Sequence, residues 1–517
     1  DNDGDLDILV ANFMPAANGQ PSQGIFPEDF SGAGNVLYRN NGDATFADVS
    51  EESKMSGEDA RSTAVIAADL DSSRDVDFYV VNQSAPNQLL NNMRDGTFAS
   101  PSGNATDVIS SSGLGVGAGD LSRNGFMDLV LPDMEPTRSS VLFNHGNSYF
   151  EYAEASSAIS SDLKVPVLNT QLFDFDNDGD LDVLVLSSRL FQGTGGLGAS
   201  QNLFLFENRN QSFVNVTDRV KLGQVKGKAV RGISIGDYDS DGDLDFAVSV
   251  NGARPLLFRN EGGNQNNWLT VKPVGTNSNK YGLGVKAEIR AGESWEELET
   301  FGGQGYLTHN PPVLHFGLGN RKKVDIVRLL WPNGVLQSEI DPPINQQIEV
   351  QELDRKGTSC PILYTWNGET YEFQTDFLGG SAYGNLLKRG LYNYPDTDEY
   401  VKLDRDVVEL KDGRLAVTLN NHLEEVILFD QLELVTVDHP SEFEVFPDEK
   451  LLPGPPYQDF RLLTMSNPRV PLKAVDGSGR SVLEEISRVD RTYPEIPETL
   501  PFKGYAGVHE LVLDLGS

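Results

Sequence analysis

Residues 174–187 read DFDNDGDLDVLVLS. Asp174, Asp176 and Asp178 alternate, Gly179 follows, and Asp182 closes the acidic run before an apolar stretch. Like charges packed this closely repel one another, so solvation alone is a poor reason for the pattern. The spacing D-x-D-x-D-G-x-x-D brings carboxylates at positions 1, 3, 5 and 9 around one point. The main-chain carbonyl at position 7, from Asp180, adds another oxygen. A hard cation taking roughly six to eight oxygens at about 2.3–2.6 Å suits such a loop, which points to calcium; magnesium demands stricter octahedral geometry. Zinc asks for His or Cys, and the loop has neither. An EF-hand is excluded by Val185 at position 12, where that motif needs a bidentate Glu, and by strand-like flanks.

The pattern recurs. DNDGDLDILVAN (1–12), DLDSSRDVDFYVVN (69–82), DLSRNGFMDLVLPD (120–133) and DYDSDGDLDFAVSV (237–250) are copies, with last aspartates roughly 50–70 residues apart. Each is trailed by a second shared phrase: NVLYRNNGDATFADVS, NQLLNNMRDGTFAS, SVLFNHGNSYFEY, NLFLFENRNQSFVNVT and PLLFRNEGG. A strand at 62–69 enters the second loop, a period-two strand at 76–81 leaves it, and two more follow around a turn at Asp95-Gly96. About four short strands per repeat is the arithmetic of a propeller blade. A β-helix has a much shorter period, and the apolar runs lack helical spacing.

The five loops are unequal. The fourth (Asp174, Asp176, Asp178, Asp182, with Asp180 at position 7) and the fifth (Asp237, Asp239, Asp241, Asp245, with Asp243 at position 7) are complete. In the first, Asp1, Asp3 and Asp7 stand at positions 3, 5 and 9. The third keeps Asp120, Ser122, Asn124 and Asp128, of which only two are carboxylates. The second keeps Asp69, Asp71 and Asp77 but has Ser73 at position 5 and Arg74 in place of the glycine. A left-handed turn costs a non-glycine residue about 1–2 kcal/mol, and the arginine adds a cation. Weak or no metal binding is expected there.

With these loops in view, residues 1 to about 265 resemble the FG-GAP/VCBS repeat family, the calcium-loop propellers also found in integrin α-subunit heads. The resemblance implies structural calcium bracing each blade, partners bound through loops on the propeller faces, and closure with about seven blades. Five loops are visible, so further blades are expected upstream. The chain opens inside a motif and stops in the strand-like HELVLDLGS, so it is expected to be a segment of a longer precursor, and its lack of a signal peptide says nothing about secretion.

From Asn267 the character changes. NWLTVKPVGTNSNKYGLGVKAEIRAG, HFGLGN (315–320) and VDIVRLLWPNGVLQSEI follow, with a tight turn at 331–334. The combination of N-W-L, H-F-G-L-G and W-P-N-G over 267–352 resembles the ASPIC/UnbV domain, which follows such propellers in many bacterial surface proteins and implies architecture without a known chemistry. After a charged linker at 352–357, strands such as 415–419 and 426–429 and a Pro-rich stretch at 453–456 read as a third, sandwich-like β domain. The expected architecture is all-β: a calcium-loop propeller (1–265), an ASPIC/UnbV-like domain (266–353) and a β-rich C-terminal domain (354–517).

The 517 residues carry 41 Lys and Arg against 77 Asp and Glu, a formal charge of −36. Such a chain repels phosphate backbones and shows no basic patch, so nucleic acid is not expected as a partner. No apolar run is long enough to span a bilayer. With 26 Phe and 16 Tyr the chain is too aromatic for a disordered acidic tail. One cysteine, Cys360, precludes an internal disulfide, leaves the redox compartment open and reads as a buried, inert thiol.

Catalytic motifs are scarce. Gly232 to Gly236 match G-x-S-x-G but run straight into the fifth loop with no helix after them. Gly193, Gly195 and Gly198 match G-x-G-x-x-G without a surrounding βαβ unit. His145, His309, His315, His422, His439 and His509 show no metal-ligand spacing, and His315 reads as a structural histidine. Sequons at Asn82, Asn104, Asn210 and Asn215 are candidate surface sites. Paired carboxylates from distant loops leave a glycan-active site open.

The expectation is a non-enzymatic, extracellular or cell-surface calcium-binding protein that acts in adhesion or partner binding, with protein or glycan partners on the propeller-face loops. Two alternatives stand beside it. One is a calcium-dependent structural subunit of a surface layer or filament, formed by self-association; the other is a calcium-dependent polysaccharide-active enzyme.

Overall fold

The computed structural model describes residues 5–15, 31–55, 60–83, 85–101, 113–153, 156–163, 166–187, 203–225, 228–353, 361–377, 386–388, 391–392, 400–420, 431–447, 461–466, 469–477, 479–487, 499–500, 504–505 and 510–516. The chain forms two compact units, Asp1–Gln374 with Glu409–Leu423, and Thr375–Val408 with Glu424–Ser517.

The first unit begins with five antiparallel meanders, one per repeat. They are β1–β3 (Ile8–Val10, Val36–Asn40, Phe46–Asp48), β4–β7 (Ser62–Ala68, Asp77–Asn82, Gln88–Asn92, Phe98–Ala99) and β8–β11 (Gly117–Gly119, Asp128–Leu131, Ser140–Asn144, Phe150–Tyr152). Then come β12–β15 (Val167–Phe173, Asp182–Ser187, Leu203–Asn208, Phe213–Asn215) and β16–β18 (Val230–Gly236, Asp245–Val250, Leu256–Phe258). In repeats two to five, the acidic loop joins the first strand to the second. Its position-9 aspartate is the first residue of β5, β9, β13 and β17.

Successive sheets pack face to face, because each is apolar on both faces. Ile66, Tyr79 and Leu89 of the second repeat share a core with Val116, Leu129 and Leu142 of the third. Val130 and Val141 pack against Val183, Val185 and Phe206 of the fourth. Leu184 and Leu205 pack against Ile233, Phe246 and Val248 of the fifth.

The next region is a two-sheet sandwich. One sheet pairs β22 (Leu314–Gly319), β19 (Asn267–Val274) and β25 (Gln347–Gln351), with β19 and β25 parallel. The other orders β21 (Ser294–Glu299), β20 (Lys286–Ala291), β23 (Ile326–Leu330) and β24 (Leu336–Ile340). Leu269, Ile289, Phe316, Val327 and Trp331 fill the space between them.

The connection from β21 to β22 leaves the sandwich and crosses the first strands of three repeats. The Gly305 amide donates to the Val116 carbonyl (3.0 Å), Asn169 Nδ2 to the Tyr306 carbonyl (3.0 Å), and the Ile235 amide to Asn310 Oδ1 (2.9 Å). These bonds explain how Asn169 and Gln171 stand in the middle of the fully buried β12, while the Thr170 hydroxyl donates to the Val130 carbonyl: polar groups inside a core need partners.

The first unit reaches past residue 353 to include Ile362–Trp366 paired antiparallel with Val417–Asn420. In the second unit the described strands pair two at a time, as in Phe443–Pro447 with Leu462–Ser466 and Lys473–Asp476 with Leu511–Asp514. Cys360, Gly193, Gly195, Gly198, Asn104, His422, His509 and the stretches 426–429 and 453–456 lie outside the described residues. Among the described residues, no helix is long and apolar enough to cross a membrane.

Candidate metal centres

Four acidic loops share one backbone conformation. Position 4 has positive φ in each (Ser72 64°, Arg123 57°, Asn177 55°, Ser240 60°), as does position 6 (Arg74 70°, Gly125 85°, Gly179 97°, Gly242 97°). Arg74 therefore adopts the left-handed turn expected to strain it. The turn aims two amides at the position-1 carboxylate. Asp174 Oδ1 accepts from the Asp178 amide (3.2 Å) and Oδ2 from the Gly179 amide (2.8 Å). Asp69, Asp120 and Asp237 repeat this with Ser73 and Arg74, Asn124 and Gly125, and Asp241 and Gly242.

The structure gathers Asp174, Asp176 and Asp182; Asp237, Asp239 and Asp245; and Asp69, Asp71 and Asp77, each trio offering oxygens within 4.8 Å of one another. Asp178 and Asp241, at position 5, bond the amides of Asp180 and Asp243. The Asp180 side chain pairs with Arg123 (2.9 Å), so it is that residue's carbonyl that suits position 7. The third loop places Asp120 and Asp128 with Ser122 and Asn124. Asp7 accepts the Asn40 amide (2.8 Å), while Asp1 and Asp3 lie outside the described residues.

These residues fit a hard cation. Asp174 and Asp182 are each 1% exposed, and Asp176 Oδ1 is buried without a hydrogen-bond partner. Burial, then the charges of its neighbours, pushes Asp174 and Asp182 well above the usual carboxylate range. Burial and the Asp178 charge lift Asp176 to about 6. Burial lifts Asp128 to about 7 against two opposing amide bonds, and Asp243 to about 6. Only a positive charge makes such a cluster comfortable when ionised.

Protons and cations should therefore compete. Between pH 7 and pH 5 the apparent cation affinity of the fourth loop is expected to fall, by about tenfold per pH unit for each carboxylate that must shed a proton. Cation-free protein should respond oppositely. Its folded pKa values near 6 and 7 exceed the unfolded 3.8, so protonation favours folding and stability rises as pH falls from about 7 towards 4. Calorimetric titrations and melting curves across this range check both signs.

An asparagine at the end of β2, β6, β10 and β14, and two residues past β18, recurs in the shared phrase as Asn40, Asn92, Asn144, Asn208 and Asn260. Its amide donates to the position-9 carboxylate, as Asn208 does to Asp182 Oδ1 (2.7 Å). From the third repeat on, its side chain also reaches the preceding loop. Asn144 Nδ2 donates to the Leu70 carbonyl (2.8 Å), Asn208 to Leu121 (3.0 Å) and Asn260 to Phe175 (2.6 Å). Replacing Asn208 with Ala orphans two buried carbonyls, Leu121 and Leu181, and should cost about 2–4 kcal/mol by denaturant unfolding.

The sandwich sits on these loops. Trp295 covers Gly125 and Trp268 covers Gly242, where an added Cβ would strike each indole. His315 is buried and held neutral, its pKa pushed down to about 4 by burial. Its Nδ1 meets Thr270 Oγ1 and its Nε2 meets Asn177 Oδ1, both at 2.8 Å, so its role is to tie the sandwich to the fourth loop. Ser234, within the G-x-S-x-G match, lies in mid-strand and donates to the His309 carbonyl (2.8 Å). Asn82 is 1% exposed and bonds the Pro86 carbonyl, so burial removes that sequon from the candidate surface sites.

The repeats match the family described as FG-GAP-like repeat over residues 1–80 and 174–248, and the sandwich region matches ASPIC and UnbV over 275–357. The chain thus carries FG-GAP-like repeats followed by an ASPIC/UnbV domain. It is distantly homologous to cartilage acidic protein 1. The Xenopus tropicalis protein is 28% identical over 335 residues, which is 63% of this chain and 48% of that protein. The Mus musculus protein is 29% identical over 299 residues, 55% of this chain and 45% of that protein. The Homo sapiens protein is 29% identical over 270 residues, 51% and 39% respectively. The chain spans less than half the length of these relatives.

Proposed function

We propose that this chain is a calcium-stabilised, non-catalytic binding protein of the cell surface or extracellular space, whose repeats form blades of a β-propeller. The observation that carries the reading is the fourth loop, where buried carboxylates converge and Asp176 Oδ1 lacks a partner. Calcium is the ion chosen because the donors are all oxygen, the loop is irregular, and extracellular calcium is millimolar, near the range in which extracellular modules bind it. The relatives' name associates those proteins with cartilage, and from it we carry over only an extracellular setting. A protein or glycan partner docks on exposed propeller-face loops.

Assembly into a layer or filament is a second reading, favoured by apolar side chains on the outermost strands: Phe46 is 46% exposed, Tyr152 51% and Val214 37%. Unpaired sheet edges of this kind invite pairing with another copy. Sedimentation of chelator-stripped chain during calcium titration separates the two. A constant particle size, with calcium-dependent retention on a panel of matrix proteins and glycans, supports the binding reading. Growth in size with calcium moves assembly to first place, and product release from an acidic glycan overturns the non-catalytic reading.

A further inference from the structure

The second acidic loop has the backbone of the others and different partners. In the fourth loop one oxygen of the position-3 carboxylate, Asp176 Oδ1, is buried and accepts nothing. In the second loop the equivalent Asp71 has both oxygens engaged, Oδ1 by the Ser73 amide (2.9 Å) and Oδ2 by Asn91 Nδ2 (2.8 Å). Ser73, where a ligand carboxylate belongs, turns its hydroxyl to Asp75 Oδ1 (2.8 Å).

Two side-chain cations converge on the same loop. Lys286 Nζ, from β20 of the sandwich, lies 2.8 Å from Asp69 Oδ2 and 3.6 Å from Glu297. Its side chain is 14% exposed and Asp69 is nearly buried. Arg94 Nε lies 2.5 Å from the buried Asp75 Oδ2, and the same guanidinium reaches the Ser73 carbonyl. An ammonium on the position-1 ligand repels a divalent ion bound to that carboxylate's other oxygen, and partial burial strengthens the repulsion.

We propose that the second loop takes no metal ion because Lys286 of the ASPIC/UnbV domain and Arg94 stand in for one, two single charges replacing a double charge. Lys286 is then a specificity-determining residue, and its contact with Asp69 is a docking point for the sandwich that chelators leave intact. The inference rests on the calcium reading of the other loops.

The test counts calcium ions per chain, by calorimetry and by native mass spectrometry of the full chain at millimolar calcium. Asp71→Asn should leave the count unchanged, whereas Asp176→Asn should lower it by one. The double variant Lys286→Met with Arg94→Gln, which keeps the aliphatic stems, should raise the count by one, and adding Asp71→Asn should abolish that gain. Loss of an ion in Asp71→Asn alone overturns the proposal, as does a folded double variant with no extra ion. If the double variant does not fold, the Asp71→Asn count decides alone. No loss in Asp176→Asn instead overturns the calcium reading of the fourth loop.

Discussion

Chelation of the full chain at neutral pH is expected to lower its melting temperature by on the order of 10 °C. The fourth loop alone buries Asp174 and Asp182, each 1% exposed, around an oxygen with no partner. An ion held at about 100 times its Kd stabilises the fold by about 2.7 kcal/mol, so two complete loops supply about 5 kcal/mol. Roughly 2–4 °C of melting temperature attend each kcal/mol in a domain of 150–250 residues. The damage should spread, because Asp182 also anchors Asn208, and Asn208 latches the third loop. Differential scanning calorimetry before and after chelation checks this, with elemental analysis to verify removal. An unchanged melting temperature in verified metal-free protein would end the structural role assigned to the ion.

Gly317→Ala should be the most damaging single substitution at the seam between repeats and sandwich. A Cβ at this position would stand 1.9 Å from Asp174 Oδ2 and 2.6–2.7 Å from main-chain atoms of Asn177. Backbone cannot swing aside as a flexible side chain can. Either the sandwich retreats from the fourth loop or the loop deforms. A cost of about 3 kcal/mol or more is expected, the upper end of overpacking, together with loss of the ion from the fourth loop. Gly302→Ala is the matched control, since nothing lies within 4 Å of its added Cβ, and it should be silent. Denaturant unfolding and ion counting on both variants decide. A Gly317→Ala protein as stable as the control, with its full complement of ions, would mean that the sandwich does not rest on this loop.

Much of the site was legible in the chain because its ligands are local. Positions 1 to 9 lie within one tight turn, so spacing alone brings Asp174, Asp176 and Asp182 together. The second loop's departures from the pattern, Ser73 and Arg74, were legible for the same reason. The recurrent asparagine could have been found in the shared phrase, since Asn208 and its counterparts recur in every copy of it. Its function could not, because the carbonyl it reaches belongs to the previous repeat, as Leu121 does for Asn208. The segment 302–310 carries no such local signal, because the polar groups it satisfies on β12 lie more than a hundred residues away in the chain.

The sequence by itself determined the repeat, its strands and its acidic loops, because these depend on period-two alternation and on turns whose chemistry spans nine residues. Tertiary structure alone decided what surrounds each loop. Lys286 reaches Asp69, His315 reaches Asn177 and Gly317 abuts Asp174 across more than a hundred residues of chain. No local pattern encodes such contacts: they arise when the repeats and the sandwich bury their faces against each other within one compact unit, and the loops' charges are then balanced by whatever that packing brings near.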